Sequence, residues 1–214
     1  MGTEASSGTD GDAALALIVV QRGCRSFTSE PVADADLARI LEAATHAPSA
    51  ENRQPWVFVV VRDPTVRTAI NELTQQVWAA GAREHSSHTL DARLFSAVDR
   101  FFADGYGGAP VLIVVAGDGR DGSSAALLSS SIYPATQNLL LAAAALGYGS
   151  SMTTLATQAP DALADIVGLP AGVRPFAVIP IGRPARPLGP PSRRPVAEVA
   201  HRDRFGAPFS PPRD

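Results

Sequence analysis

Two arginines three residues apart, Arg22 and Arg25 in QRGCR, have the type and spacing that most directly suggest chemistry. Near a helix end they can converge on one anion, and a guanidinium fork suits that task better than a point-charge ammonium. Gln21 can add a donor through its amide. The bland alternative is a solvated basic helix end, which the macrodipole favours at a C-terminus. Cys24 sits between the two arginines, where cationic neighbours would lower its pKa; it reads as a small space-filler of that loop. As the only cysteine it excludes an intrachain disulfide and a thiolate metal cluster. A second unusual stretch, APSAENRQPW, follows the next helix. There Asn52 and Gln54 can hold a turn through backbone hydrogen bonds, Pro55 leads into a strand, and Trp56 reads as core. A third, SSMTT (150–154), carries a Thr pair, and a fourth, PSRRP, adds Arg193 and Arg194 near the end of the chain.

These pieces need elements to position them. DAALALIVVQRG reads as a helix with Asp12 as N-cap. DADLARILEAATHA reads as a second, with Leu37, Ile40, Leu41 and Ala44 on one face and Pro48 as its stop. WVFVVVRD and APVLIVVAGD are short apolar runs that predict strands buried on both faces. Between them PTVRTAINELTQQVWAAGA is amphipathic. Residues 83–106 mix aromatics and charges, which leaves a short helix and a mobile lid equally open. After Pro134 the spacing of Thr136, Leu139, Ala143 and Leu146 predicts a strong helix closed by Gly147 and Gly149. PFAVIPIG predicts a last strand, with Pro180 demoting it to an edge or a bulge. From Arg183 onward the Pro- and Arg-rich tail predicts an extended arm. Helices separate the strands, so the class is α/β or α+β in one domain. Helices before the first strand, with no G-x-G-x-x-G or Walker loop, disfavour a doubly wound nucleotide fold.

Composition narrows the chemistry. The chain has 214 residues, 45% hydrophobic and 18% charged, with a net charge of −3. No global field draws it to nucleic acid or an acidic membrane, and acidic residues interrupt the Arg-rich tail. All 18 basic residues are arginine, which excludes Schiff-base and lysine-base catalysis. His85 and His88 lack further ligands, so they read as loop residues rather than a metal site. The first residues lack a signal-peptide pattern, and LLLAAAALGYG is too short to span a bilayer. A cytoplasmic location is the expectation.

Taken together, QRGCRSFTSEPV, LARILEAATHAPSAENRQPWVFVVV, QNLLLAAAALGYGSSMTT, GLPAGVRPFAVIPIGRPARP and SRRPVAEV resemble the nitroreductase family of flavin enzymes. The pieces stand in the family's order over most of residues 15–200. The resemblance implies an α+β nitroreductase-like fold, with a central mixed sheet flanked by helices. It implies a homodimer with FMN at the subunit interface and a C-terminal arm exchanged between the copies. Residues 1–11 would be a flexible start, 12–183 the flavin-binding domain and 184–214 the arm. NADH or NADPH would be the electron donor, and a nitroaromatic, quinone or related small molecule the acceptor.

The resemblance also assigns residues. Gln21, Arg22, Gly23 and Arg25 would meet the FMN phosphate and pyrimidine edge, with Gln21 and Gly23 replacing the family's usual basic residue and Ser. Pro48, Ser49 and Asn52 would form the turn that reaches the other subunit's flavin. Met152, Thr153 and Thr154 would lie near the N5 and O4 edge, and Arg193, with Arg194 beside it, would return to the phosphate. No side chain acts as a nucleophile; Arg25 would stabilise the negative charge of reduced flavin. Phe95, Phe101, Phe102 and Tyr106 would offer stacking surfaces to substrate. The alternatives are a specialised branch (dehalogenase-like, flavin-fragmenting or deazaflavin-binding), to which the Thr153–Thr154 pair points, or a non-catalytic flavin-binding or sensing protein.

Overall fold

The computed structural model describes residues 9–209. The expected flexible start therefore lies outside the described residues, apart from Thr9–Gly11, which belong to the first helix, α1 (Thr9–Val20). The chain folds as α+β around a four-stranded sheet of order β1-β2-β4-β3. The strands are β1 (Trp56–Val61), β2 (Val111–Asp118), β3 (Gly149–Ser150) and β4 (Val173–Gly182). Each strand pairing is antiparallel. The parallel contribution is an isolated bridge between Gly23 and Ser150.

Side chains alternate across a strand, so successive residues of β2 serve opposite layers. Leu112 and Val114 join Val178 in a core with α3 (Pro64–Val77), α5 (Ala92–Ala103) and α7 (Pro160–Val167). Val111, Ile113 and Val115 join Ile179 and Ile181 beneath α2 (Asp34–Thr45) and α6 (Ala125–Ala145). Both faces of the central strands are apolar, which is why their sequences are continuous apolar runs rather than alternating ones. The same expectation fails for β1. As an edge strand it leaves Trp56–Val60 only partly buried in the single chain.

Pro180 does not push β4 to the edge, since β4 lies between β2 and β3. Val178 exchanges both backbone hydrogen bonds with Thr153, on the β3 side. By alternation the nitrogen of Pro180 points to that side too, into the gap where Ser151 and Met152 leave the ladder. Its missing N–H therefore costs no β2 bond. The strand's other proline, Pro175, sits where the register shifts opposite Val115 and Ala116.

α6 starts earlier than expected. Ser124 Oγ caps the N–H of Leu127, and nine helical residues precede Pro134. The proline removes one intrahelical donor, whereas Leu128, Ser131 and Ile132 bury this first stretch against the core. The segment 83–106 is helical, with α4 (Arg83–Thr89) followed by α5, whose start is capped by Asp91. A π turn at Trp78–Ala82 joins α3 to α4. There the Asp99 carboxylate accepts from Trp78 Nε1 at 2.9 Å and from Arg83 at 2.8 and 2.9 Å. By contrast α1 lies apolar side outward: Leu15, Ile18, Val19 and Val20 are each more than half exposed. Large apolar side chains clustered in water along one helix signal a missing cover.

Candidate flavin site

The basic cluster opens an extended segment, Arg22–Thr28, that begins where the N–H of Gln21 closes the last turn of α1 on Leu17 O. On one side of the segment the N–H of Cys24 donates to Ser150 O at 2.8 Å. On the other, the N–H of Thr28 donates to Arg183 O at 2.9 Å, Phe27 bridges Pro184, and the N–H of Ala185 donates to Ser26 O at 3.0 Å. Arg22 Nη1 then reaches the carbonyl of Gly189 at 2.9 Å. Three stretches that are distant in sequence, QRGCR, the SSMTT turn and the start of the arm, thus meet as one small ladder.

The floor beneath Arg25 is a turn. Gly105, Tyr106, Gly107 and Gly108 all have left-handed φ values, 61°, 58°, 66° and 76°. The N–H of Phe27 donates to Gly107 O at 3.0 Å. A Cβ at position 107 would overlap the carbonyl of Arg25 and approach the Phe101 ring to 3.2 Å. Tyr106 anchors the turn: it is fully buried, and its hydroxyl meets Thr74 Oγ1 at 2.5 Å, which in turn donates to Ile70 O at 2.7 Å. Burial holds the Tyr106 phenol neutral, above the usual tyrosine range. Gly23 is constrained similarly, since a Cβ there would stand 3.2 Å from the buried Ser151 Oγ.

Arg25 is partly buried and its side chain makes no hydrogen bond or ion pair among the described residues. Burial first, and the charge of Arg22 second, weaken its hold on its proton relative to an ordinary guanidinium. An arginine stays charged under such a perturbation, so Arg25 is a desolvated cation lacking an anion. Cys24 is the space-filler expected, but its cationic neighbours do not lower its pKa: burial raises it, outweighing Arg186 and Arg25, and the thiol donates to Ser26 O. It is a filler of the ladder, 1% exposed, against Gly149.

The remaining expected residues divide. Thr153 is fixed in the ladder by its backbone, and its Oγ1 accepts from the N–H of Leu155. Thr154 and Met152 are exposed, and the Thr154 hydroxyl makes no hydrogen bond among the described residues. The turn with Pro48, Ser49 and Asn52 sits against α6 and the loop between β2 and α6. There the N–H of Ala50 donates to Ser131 Oγ, and Arg53 binds Asp121 and Ser123. Asn52 and Gln54 hold the turn through backbone hydrogen bonds as expected, the N–H of Asn52 donating to Ser49 O at 3.1 Å, and Gln54 Nε2 adds a bond to Asn52 Oδ1 at 3.0 Å. Ser49 Oγ accepts from the N–H of Gln54, and Glu51, Asn52 and Gln54 have φ values of 53°, 53° and 50°. Such non-glycine strain concentrates at functional sites. Within one chain no hydrogen bond or ion pair among the described residues links this turn to Arg22–Thr28. Arg193 is exposed and among the described residues its side chain donates to Ser192 O alone, so the described chain does not bring it to Arg22 or Arg25.

Phe101, Phe102 and Tyr106 are not stacking surfaces. They are buried against Trp78, with ring centroids 5.0 to 6.1 Å apart, because α5 turns its apolar face to the sheet. Phe95 is partly buried on that cluster, with Arg83 5.5 Å above its ring. Among the described residues no group of three or more His, Cys, Asp or Glu could hold a metal ion. Nor is any described helix long and apolar enough to cross a membrane. Sequence reasoning passed over Gly107 and Ser151; the dense G-Y-G-G run was the one legible signal for the first.

Comparison with known proteins identifies the family and the fold. A protein of Archaeoglobus fulgidus named "Putative NADH dehydrogenase/NAD(P)H nitroreductase" is 29% identical over 180 residues, 79% of this chain and 84% of its own. The iodotyrosine deiodinase of Thermotoga neapolitana is 29% identical over 168 residues, 76% of this chain and 84% of its own. A nitroreductase-type structure from Desulfovibrio desulfuricans, solved in complex with FMN, superposes with a TM-score of 0.70 at 29% identity. It covers 95% of this chain and 99% of that one. The signature of the Nitroreductase family matches residues 18–183, and this chain belongs to that family of oxidoreductases.

Proposed function

We propose that the protein is an FMN-dependent oxidoreductase that takes electrons from NADH or NADPH and delivers them to a nitroaromatic, quinone or related small acceptor. The observation that carries this reading is Arg25, a partly buried cation with no anion of its own, beside Arg22. A phosphate monoester and the electron-rich edge of a reduced flavin are the charges such a pair would stabilise. The residues present suit that group in their chemistry, since neighbouring guanidiniums, one of them without an anion, are the donors a phosphate monoester takes. When bound, FMN would supply the hydride and electron chemistry that no side chain here offers. The chain's part is to bind and orient: Arg22 and Arg25 hold negative charge, and Thr153 and Thr154 present hydroxyls beside the ladder. The Pro48–Gln54 turn would be contributed from a second copy of the chain, together with the phosphate contact of Arg193.

A homodimer is supported by α1, whose Leu15, Ile18, Val19 and Val20 would be covered by the second copy. The domain reading keeps residues 12–183 as the flavin-binding unit and 184–214 as the arm. The test is an absorbance spectrum of the purified protein with added FMN, followed by anaerobic addition of each nicotinamide. Flavin bands that bleach with NADH or NADPH are expected. A protein that remains colourless with FMN would defeat the reading.

Two observations favour a second substrate class. The unpaired Thr154 hydroxyl, with Thr153 beside it, and the similarity to iodotyrosine deiodinases both suit reductive dehalogenation of a halogenated phenol. Iodide release from iodotyrosine by the reduced protein, compared with turnover of a nitroaromatic, separates the two.

A further inference from the structure

We propose that Tyr106 is a positioning residue for Arg25, holding that cation in place through the turn beneath it. This rests on the flavin reading above. Gly105–Gly108 are four consecutive left-handed residues, and Tyr106 is the one among them that is not glycine. A side chain in that conformation is strained where a fourth glycine would not be. Ring packing offsets part of the strain, since Tyr106 meets Phe101 and Phe102 edge-on with centroids 5.6 and 6.1 Å away. A phenylalanine would pack as well, so the buried hydroxyl needs a reason of its own. Its direction follows from its partner. Thr74 has one hydroxyl proton, which goes to Ile70 O at 2.7 Å, and a carbonyl only accepts. Tyr106 is therefore the donor in the 2.5 Å contact with Thr74 Oγ1. Both side chains are fully buried, so this directed chain fixes the Tyr106 ring to α3.

The turn carries that fixed point to Arg25. Its ends close on the last turn of α5, Gly105 N–H to Phe102 O at 3.3 Å and Gly108 N–H to Asp104 O at 3.0 Å. One residue beyond Tyr106, Gly107 O accepts from the N–H of Phe27, and Gly107 lies so close to the Arg25 carbonyl that a Cβ would overlap it. From there the Arg25 side chain turns back over Gly23. Its Nη2 lies 3.9 Å from where a Cβ at position 23 would stand, a point that Ser151 Oγ approaches to 3.2 Å. With no hydrogen bond or ion pair on its side chain among the described residues, Arg25 takes its place from its backbone. A shift of the Tyr106 ring along α3 moves Gly107 and, with it, that backbone.

The experiment uses the full chain stripped of flavin, with FMN titrated by quenching of flavin fluorescence at one protein concentration. Tyr106→Phe removes the hydroxyl alone, Thr74→Val removes its acceptor, and Thr74→Ser keeps it. Arg25→Gln should weaken FMN about tenfold, the loss of one charge-assisted contact. Tyr106→Phe and Thr74→Val should each weaken it about threefold, and Thr74→Ser should bind as the wild type does. Added to Arg25→Gln, Tyr106→Phe should cause no further loss, because a residue that acts through Arg25 then has nothing to position. Thermal unfolding checks that each variant keeps the fold, and the two Thr74 variants carry the test should Tyr106→Phe not fold. Wild-type FMN affinity in Tyr106→Phe, or a loss that persists undiminished in the Arg25→Gln background, overturns the assignment and leaves the flavin reading standing. A wild type that does not bind FMN overturns both.

Discussion

Gly107→Ala should destabilise the protein more than Gly168→Ala, although the two glycines share almost one backbone conformation. Gly107 has φ 66° and Gly168 φ 68°. Either alanine meets the left-handed penalty of about 1 kcal/mol. A Cβ at 168 meets nothing within 4 Å, so at that C-cap of α7 the conformational term stands alone. At 107 the added carbon overlaps the carbonyl of Arg25 and crowds the Phe101 ring. Relief requires moving the backbone of Arg22–Thr28 or the turn that carries Tyr106, a cost of about 1–3 kcal/mol. Gly107→Ala should therefore lose about 2–4 kcal/mol in total, and Gly168→Ala about 1. Urea unfolding at one fixed protein concentration measures both, because an associating chain has concentration-dependent stability. A second readout follows from the position of the clash: Gly107→Ala displaces Arg25 and should weaken FMN binding, whereas Gly168→Ala should not. Equal stability losses would refute the reasoning, since they would mean that Arg25 is not seated on this turn.

Tyr106→Phe removes a buried hydroxyl bonded to Thr74 and should cost about 1 kcal/mol at neutral pH. The folded protein holds the Tyr106 proton more tightly than the unfolded chain, so its contribution is intact below the ordinary tyrosine value of 10 and is lost as pH rises above it. The alkaline decline of stability should be shallower in the variant, and an unchanged slope would remove Tyr106 as its cause. Asp99→Asn breaks the carboxylate's bonds to Arg83 and Trp78. Hydrogen bonds from Arg83, then Trp78, hold Asp99 below the ordinary carboxylate value of 3.8, so its stabilisation exists above that pH and fades as pH falls below it. The variant should lose about 1 kcal/mol near neutrality, converge with the wild type in acid, and shift Trp78 emission in a Trp56→Phe background. A deficit that persists undiminished in acid would contradict this account.

Much of the architecture was legible because it follows from local rules. Continuous apolar runs marked β2 and β4, whose residues serve two core layers, and the spacing of Leu37, Ile40 and Ala44 marked the buried face of α2. Failures arose where tertiary burial overrode local signals. The first half of α6 looked interrupted by Pro134, yet burial of Leu128 and Ile132 sustains a helix through it. The aromatics of 83–106 resembled a binding surface because composition does not report direction, and α5 turns Phe101 and Phe102 inward.

By itself the sequence determined the family, the α+β class and the presence of an arginine pair at the end of the first helix, because residue type and order carry those directly. Only the tertiary structure decided that Gly107 underlies Arg25, that the Cys24 thiol is held up by burial rather than activated by its cationic neighbours, and that the start of the arm pairs with the segment after Arg25 while Arg193 does not reach it within one chain. Register, desolvation and close approach depend on which distant segments lie side by side, and no local pattern of residues encodes that.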